Sequence, residues 1–268
     1  MSRETTAGWD PAQYGIFGGE RARPFAELVA RLGAHLGGAE PAHVADLGCG
    51  SGELTATLAA RWPGAAIEAL DSSPQMIAAA RAHEIPGRLA FRVGDVTAWK
   101  PGGPVDLIVS NAVLHWVPEH LDLLPRWVGA LAPGGHLAFQ VPGNFDAPSH
   151  ILLRELCRSD RWRAKLGHLQ RDAPVLDPAG YLDLLARHGC AADAWETTYA
   201  QVLHGDDPVL EWVKGTALRP VLSALDPDES AEFLTAYRDR LRRAYPAAPY
   251  GTVFPFRRIF VIATRNTT

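Results

Sequence analysis

The sequence predicts an α/β fold built on a doubly wound parallel sheet, with extra helices inserted as a lid. Three observations carry that reading. Short apolar strand signals alternate with helical ones across residues 43–141, and such alternation belongs to βαβ units whose crossover helices cover both faces of a parallel sheet. The first strand signal runs straight into Gly48-Cys49-Gly50-Ser51-Gly52. Acidic residues then stand at or beside three successive strand ends: Asp46, Asp71 and Asp95.

Ahead of the sheet, Trp9, Tyr14 and Phe17 precede Arg21 and Arg23. Pro24 is expected to open an amphipathic helix with Phe25, Leu28, Val29, Leu32 and Leu36 on one face. His43–Leu47 reads as a short buried strand, and 53–62 as a helix closed by Pro63-Gly64. Residues 66–70 form a strand ending at Asp71, and 74–82 a helix with Ser73 and Pro74 as its N-cap and first-turn pair. Strands follow at Leu89–Val93, before Gly94-Asp95, and at 105–109. A helix over 121–131 is stopped by Pro133-Gly134-Gly135, and 136–141 is the next strand.

The second half is less regular. Residues 146–169 and 177–188 read as helices, the latter ended by Gly189, and 194–199 as a strand. Helices are expected over 208–225 and 228–245, the second with Phe233, Leu234, Tyr237, Leu241 and Tyr245 at helical spacing, and a last strand over 258–263. No linker separates independent domains. Residues 1–268 are therefore expected to form one domain, with a core of about 43–142, 177–203 and 254–265, a helical segment at 8–40, and a lid from 145–176 and 204–250.

Composition limits the function classes. The 268 residues are 47% hydrophobic and 21% charged, which argues against disorder as the main state. A net charge of −4 and the lack of a basic aromatic stripe disfavour nucleic acid as a partner. Three cysteines make no disulfide framework and fit a reducing cytoplasm. The first residues lack the apolar core of a signal peptide, and no run reaches the ~18–20 apolar residues of a membrane span. The histidines are scattered without paired spacing, so no metal is expected.

The glycine cluster allows close backbone approach to a ligand at the carboxyl edge of the sheet. The dinucleotide pattern G-x-G-x-x-G is not met, because Glu53 takes its last position. An acid at the end of the second strand suits both hydroxyls of a ribose, and one at the end of the third suits an adenine amino group.

The segment Asp46-Leu47-Gly48-Cys49-Gly50-Ser51-Gly52, with Asp71 and Asp95 beyond it, resembles the motif of class I S-adenosylmethionine-dependent methyltransferases. The resemblance implies a mostly parallel, Rossmann-like seven-stranded sheet whose last strand, 258–263, is antiparallel. It implies S-adenosyl-L-methionine as cofactor and S-adenosyl-L-homocysteine as product. Asp46 would support the loop and the ligand's amino group, and Gly48 and Gly50 would line its methionine part. Asp71, with Ser72 beside it, would hold the ribose, and Asp95 with Val96 the adenine. Ser110 and Asn111 would line the site beside the sulfonium.

Longer segments narrow the resemblance. They include Trp9-Asp10-Pro11, Glu20-Arg21-Ala22-Arg23-Pro24, Asp71-Ser72-Ser73-Pro74 and Asn111-Ala112-Val113-Leu114-His115-Trp116. Beyond these come Ser149-His150 through Arg154-Glu155, Trp195-Glu196-Thr197-Thr198-Tyr199, Leu218-Arg219-Pro220 and 254–260. Together they are similar to the trans-aconitate 2-methyltransferase family. That resemblance alone supplies the substrate, a small polycarboxylate, and the product, a monomethyl ester. It implies Tyr14, Arg21, Arg154, Tyr199, Arg219 and Arg258 as substrate-binding residues, with Trp212 as a further wall. Arginine suits the role because its planar fork matches a carboxylate. Which of Arg257 and Arg258 faces the substrate stays open. A carboxylate is already ionised at neutral pH, so no catalytic acid or base is assigned, and His115 and Asn111 are the candidates beside the reaction. The enzyme is expected to be a monomer or a weak homo-oligomer. Three alternatives stand beside this reading: a methyltransferase for another small acid or a carrier-bound malonyl group, a nicotinamide-dependent oxidoreductase, and a non-catalytic cofactor-binding module.

Overall fold

The computed structural model describes residues 18–169 and 175–267. They divide between two compact units, each assembled from separate stretches of chain. The sheet unit takes residues 18–142, 175–197 and 258–267, and the helical unit takes 143–169 and 198–257.

The leading helix, α1, spans Gly18–His35. Pro24 therefore lies inside it rather than opening it, which corrects the expected start. The ring is buried beside Phe25, Leu28, Val29 and Leu32. Packing of that face outweighs the loss of one helical hydrogen bond at the proline. Leu36 falls just past the helix end, only partly buried.

The strands are β1 (His43–Leu47), β2 (Ala66–Asp71), β3 (Leu89–Val93), β4 (Val105–Asn111), β5 (Leu131–Pro142), β6 (Cys190–Leu203), β7 (Ala247–Ala248) and β8 (Gly251–Arg265). Between them lie α2 (Glu53–Arg61), α3 (Pro74–Ala80), α4 (His120–Ala130), α5 (Pro148–Arg158), α6 (Arg163–Leu166), α7 (Pro178–Arg187), α8 (Pro208–Lys214), α9 (Arg219–Ser223) and α10 (Pro227–Ala244). The sheet order is β3-β2-β1-β4-β5-β8-β6, with the short β7 paired to β8 off this path. Strands β1 to β5 pair in parallel, and β8 runs antiparallel to β5. The order reverses after β1, so the edge where β1 and β4 end is the topological switch point where such sheets bind ligands.

Strand and helix limits follow local chemistry. The Ser73 hydroxyl accepts from Met76 N and starts α3, with Pro74 at its first position. Asp177 caps α7 in the same way, and Gly189, at φ +73°, lets the chain turn into β6. The core of the sheet unit packs Leu47, Ile108, Trp127, Phe139, Tyr181 and Val261 out of water. Within it His120 Nε2 meets the Tyr181 hydroxyl at 3.1 Å. Burial keeps His120 below the usual histidine range.

In the helical unit two expected helices are broken. The stretch 146–169 ends its first helix at Ser159, whose hydroxyl donates to Leu156 O and whose backbone turns extended. The stretch 208–225 breaks between Lys214 and Arg219, around Gly215. The core of this unit is aromatic. Trp162 meets Phe233 edge-on at 5.4 Å, and Tyr245 meets Phe254 edge-on at 5.3 Å. Trp212 belongs to this core at 1% exposure, packed on Phe254 and Phe256, so it is not the pocket wall the sequence suggested.

Candidate active site at the carboxyl edge of the sheet

The turn after β1 is held to β2 by backbone bonds: Gly48 N and Cys49 N both donate to Leu70 O, at 2.8 and 3.0 Å. Gly48 has φ +91°, and a Cβ there would stand 2.1 Å from Val113 Cγ2. Gly52, at φ +81°, is equally closed by Ala80 and Phe91. Gly50 differs. Its φ is +55°, yet a Cβ would meet nothing within 4 Å. Two of the glycines serve packing, and the middle one lies on the open face of the loop.

Asp71 locks this loop. Its Oδ2 accepts from Gly50 N at 3.0 Å and its Oδ1 from Ser73 N at 2.9 Å. Burial lifts its carboxyl above the ordinary range, and the two amides pull the other way. A carboxylate oxygen has two acceptor sites, so each oxygen keeps one for a ligand, the arrangement a ribose diol needs. Asp95, exposed after β3, takes Thr97 N and Thr97 Oγ1 on Oδ1, both at 2.8 Å. Among the described residues no hydrogen bond engages its Oδ2, which suits an amino group such as that of adenine. Val96, next in sequence, is buried at 7% exposure, and Ser72, next to Asp71, is exposed.

Asp46 is 3% exposed and accepts from the Thr55 hydroxyl at 2.6 Å. Burial, reinforced by the charge of Asp71 and opposed by Thr55, raises its carboxyl to about 6. Burial beside these two acids also pushes the Cys49 thiol up, so it is unreactive as a thiolate. The acids, the loop and the open Gly50 face together fit an adenosyl group.

At the ends of β4, β5 and β8 the structure builds a relay that the sequence did not disclose. Arg258, only 5% exposed, donates through Nη1 to Gln140 Oε1 at 3.2 Å. Gln140 Nε2 then donates to Asn111 Oδ1 at 2.9 Å. A guanidinium can only donate, so both amide orientations follow from it. The Asn111 amino group is left as a donor at the sheet edge. Gln140 was legible only as a polar residue inside the apolar strand signal 136–141.

The other expected residues are placed as follows. The Ser110 hydroxyl is fully buried and donates to Leu47 O, tying β4 to β1. His115 is half-buried with its ring 4.8 Å from Trp116. Arg154, Arg219 and Tyr199 belong to the helical unit, Tyr199 buried and both arginines half-buried. Arg257, also half-buried there, donates to Gly143 O at 3.0 Å. Tyr14 and the Arg21 side chain lie outside the described residues. The segment around Trp195 braces α1: Trp195 Nε1 and Thr197 Oγ1 both donate to Glu27 Oε1, and the indole stacks on Phe260 at 4.9 Å. Among the described residues no group of three His, Cys, Asp or Glu side chains could hold a metal ion, and no helix is long and apolar enough to cross a membrane.

This sheet order, glycine turn and acid set define a methyltransferase of the Rossmann-like α/β class, and a family model described as a methyltransferase domain matches residues 17–193. A Streptomyces avermitilis protein named trans-aconitate 2-methyltransferase is 55% identical over 96% of this chain and 97% of its own length, and a Mycolicibacterium gilvum protein of the same name is 51% identical over 95% and 98%. The chain belongs to the trans-aconitate 2-methyltransferase family. Among solved structures, a Galdieria sulphuraria protein described as a sarcosine dimethylglycine methyltransferase superposes with a TM-score of 0.59, at 15% identity over 97% of this chain and 91% of that one. The plantazolicin methyltransferase BpumL, bound to a pentazolic analogue and S-adenosylhomocysteine, gives 0.54 at 16% identity over 96% and 92%. At such identity these two speak for the fold.

Proposed function

We propose that this methyltransferase esterifies one carboxylate of trans-aconitate with the methyl group of S-adenosylmethionine, giving a monomethyl ester and S-adenosylhomocysteine. The observation that carries the reading is the relay from buried Arg258 through Gln140 to Asn111, at the same sheet edge as Asp46 and Asp71. Each link passes a donor outward, and a chain of polarised amides ends in a stronger donor than an isolated one. An anionic carboxylate is the matching acceptor.

The cofactor would lie with its ribose on Asp71, its adenine between Asp95 and Val96, and its methionine part along Gly48 and Gly50. When bound it supplies an electrophilic methyl group. The chain itself has to hold the acceptor carboxylate in line and keep water away, since that carboxylate is ionised at neutral pH without a base. In this reading Asn111 orients the acceptor and His115 moves no proton. Tyr14, Arg21, Arg154, Tyr199, Arg219 and Arg258 are assigned to the substrate on the family resemblance. A sequence with three cysteines and no disulfide framework supports a cytoplasmic setting.

The test offers purified protein and S-adenosylmethionine a panel of trans-aconitate, cis-aconitate, isopropylmalate, citrate and malonyl thioesters, with products read by mass spectrometry. Preferential formation of a trans-aconitate monomethyl ester is the expected result. Preference for a malonyl thioester would overturn the substrate, and binding of nicotinamide cofactor in place of S-adenosylhomocysteine would overturn the reaction.

A further inference from the structure

Thr55 is the third residue of α2, the helix that follows the glycine turn, and it is fully buried. A threonine inside a helix ordinarily turns its hydroxyl back to a carbonyl three or four residues earlier. Thr57, two residues on, does so, donating to Leu54 O at 2.6 Å. Thr55 instead reaches across to β1, where its Oγ1 donates to Asp46 Oδ2 at 2.6 Å. Leu58 and Ala59 of the same helix are buried as well. Packing alone would therefore accept the isosteric valine, and the hydroxyl is there for Asp46.

Asp46 needs that hydroxyl because little else around it favours a charge. A carboxylate holds an ammonium group only while ionised, and burial opposes ionisation. From β2 comes the negative charge of Asp71, which opposes it further. The glycine turn adds the Cys49 thiol, kept protonated by burial and by the same two acids. From β4, apolar Val109 pairs with Asp46 in the sheet. Thr55 acts the other way, stabilising the ionised form. It also divides the carboxylate. Thr55 occupies Oδ2, and among the described residues no hydrogen bond engages Oδ1.

We propose that Thr55 is a positioning residue for the cofactor: its hydroxyl fixes Asp46 through Oδ2 and leaves Oδ1 to accept from the ammonium of the cofactor's methionine part. The inference rests on the S-adenosylmethionine reading above. It deepens that reading by naming the group that sets the pH range over which the amino-acid end of the cofactor is held. Thr55 acts through Asp46 and has no part in methyl transfer itself.

The experiment compares Thr55→Val, Thr55→Ala and Thr55→Ser with the wild type by calorimetry, at about pH 6 and about pH 8. Two probes are used. S-adenosylhomocysteine carries the ammonium group, and methylthioadenosine keeps the adenosine and the sulfur but lacks it. In the wild type the Asp46 carboxyl is lifted to about 6. Losing a hydrogen bond to a charged group raises its proton affinity about tenfold. For Thr55→Val we therefore expect Kd for S-adenosylhomocysteine to rise about fivefold near pH 6 and to stay within about twofold near pH 8. Methylthioadenosine should bind as it does to the wild type at both pH values. Thr55→Ala gives the same pattern should valine not fold, and Thr55→Ser restores wild-type binding. A loss of affinity that is equal at both pH values, shared by both probes, or absent would overturn the proposal and leave Thr55 a structural tie between α2 and β1. If the wild type binds neither probe, the cofactor reading falls with it. If the wild type binds both and only the pH pattern is missing, this proposal alone falls.

Discussion

Asp71 receives the backbone amide of Gly50 on Oδ2 at 3.0 Å, across 21 residues of sequence. The acid that ends β2 therefore sets the shape of the loop that follows β1, and cofactor affinity is a joint property of the two. Asp71→Ala removes the expected ribose partner and the loop's anchor together. We expect Kd for S-adenosylhomocysteine to rise at least about thirtyfold, as for loss of hydrogen bonds to a charged group, with the far-UV spectrum unchanged. Calorimetry checks it, and an unchanged Kd would remove Asp71 from the site.

Gly48 and Gly50 are predicted to fail differently. Gly48→Ala drives a methyl group into Val113 and is expected to cost about 3 kcal/mol in unfolding free energy. Val113→Ala should restore part of that loss. Gly50→Ala meets no neighbour and should cost about 1 kcal/mol from its left-handed backbone, while weakening the cofactor more than Gly48→Ala does in the presence of Val113→Ala. Denaturant titration and cofactor calorimetry separate the cases, and equal stability losses at the two glycines would contradict the geometry.

The relay predicts coupling. Gln140→Leu removes one buried acceptor from Arg258 and should destabilise the fold by about 1–2 kcal/mol. It should also raise KM for trans-aconitate while leaving Kd for S-adenosylhomocysteine unchanged. A double-mutant cycle of Gln140→Leu with Arg258→Met tests the link, and additive effects would dissolve it.

Asp46 and His150 carry opposite pH signatures. Burial lifts folded Asp46 to about 6 from 3.8, so between those values the folded state holds a proton that the unfolded chain has released, and stability falls as pH rises. Burial and Arg154 drop folded His150 to about 4 from 6.5, so there the unfolded chain holds the extra proton and stability rises with pH. Each contribution is of order 3 kcal/mol, and in the wild type they largely offset. Relative to wild type, Asp46→Asn should gain stability from pH 4.5 to 6.5, and His150→Gln should lose it. Urea titrations at those pH values check this, and parallel slopes in all three proteins would refute it.

The cofactor half of the site was legible in sequence because it is local. Asp46, the glycines, Asp71 and Asp95 each sit at a strand end that hydrophobic alternation locates within a residue or two, and Ser73 announced its own helix cap. The substrate half was not, because it depends on register. Gln140 lies opposite Asn111 through the β4–β5 pairing, and Arg258 pairs beside Pro142 through an antiparallel strand more than a hundred residues away in sequence. Ser110, adjacent to Asn111, points its hydroxyl to Leu47 O, as strand alternation requires of neighbours. Thr55, in the cofactor half, had no sequence signal, since a helical threonine ordinarily bonds back to its own turn. Pro24 misled for the reverse reason: local rules put a proline at a helix start, and the buried face of α1 carried the helix past it.

The placement of β8 has a consequence for biosynthesis. Its segment from Arg258 to Arg265 lies between β5 and β6 in the sheet, yet it leaves the ribosome after β1 to β7. A nascent chain that has made β1 to β7 holds an open slot at an interior position, with the edges of β5 and β6 unpaired. Ribosome stalling or a premature stop codon within β8 would leave that slot open, and the product would be a substrate for chaperones and proteases rather than a slightly shortened enzyme.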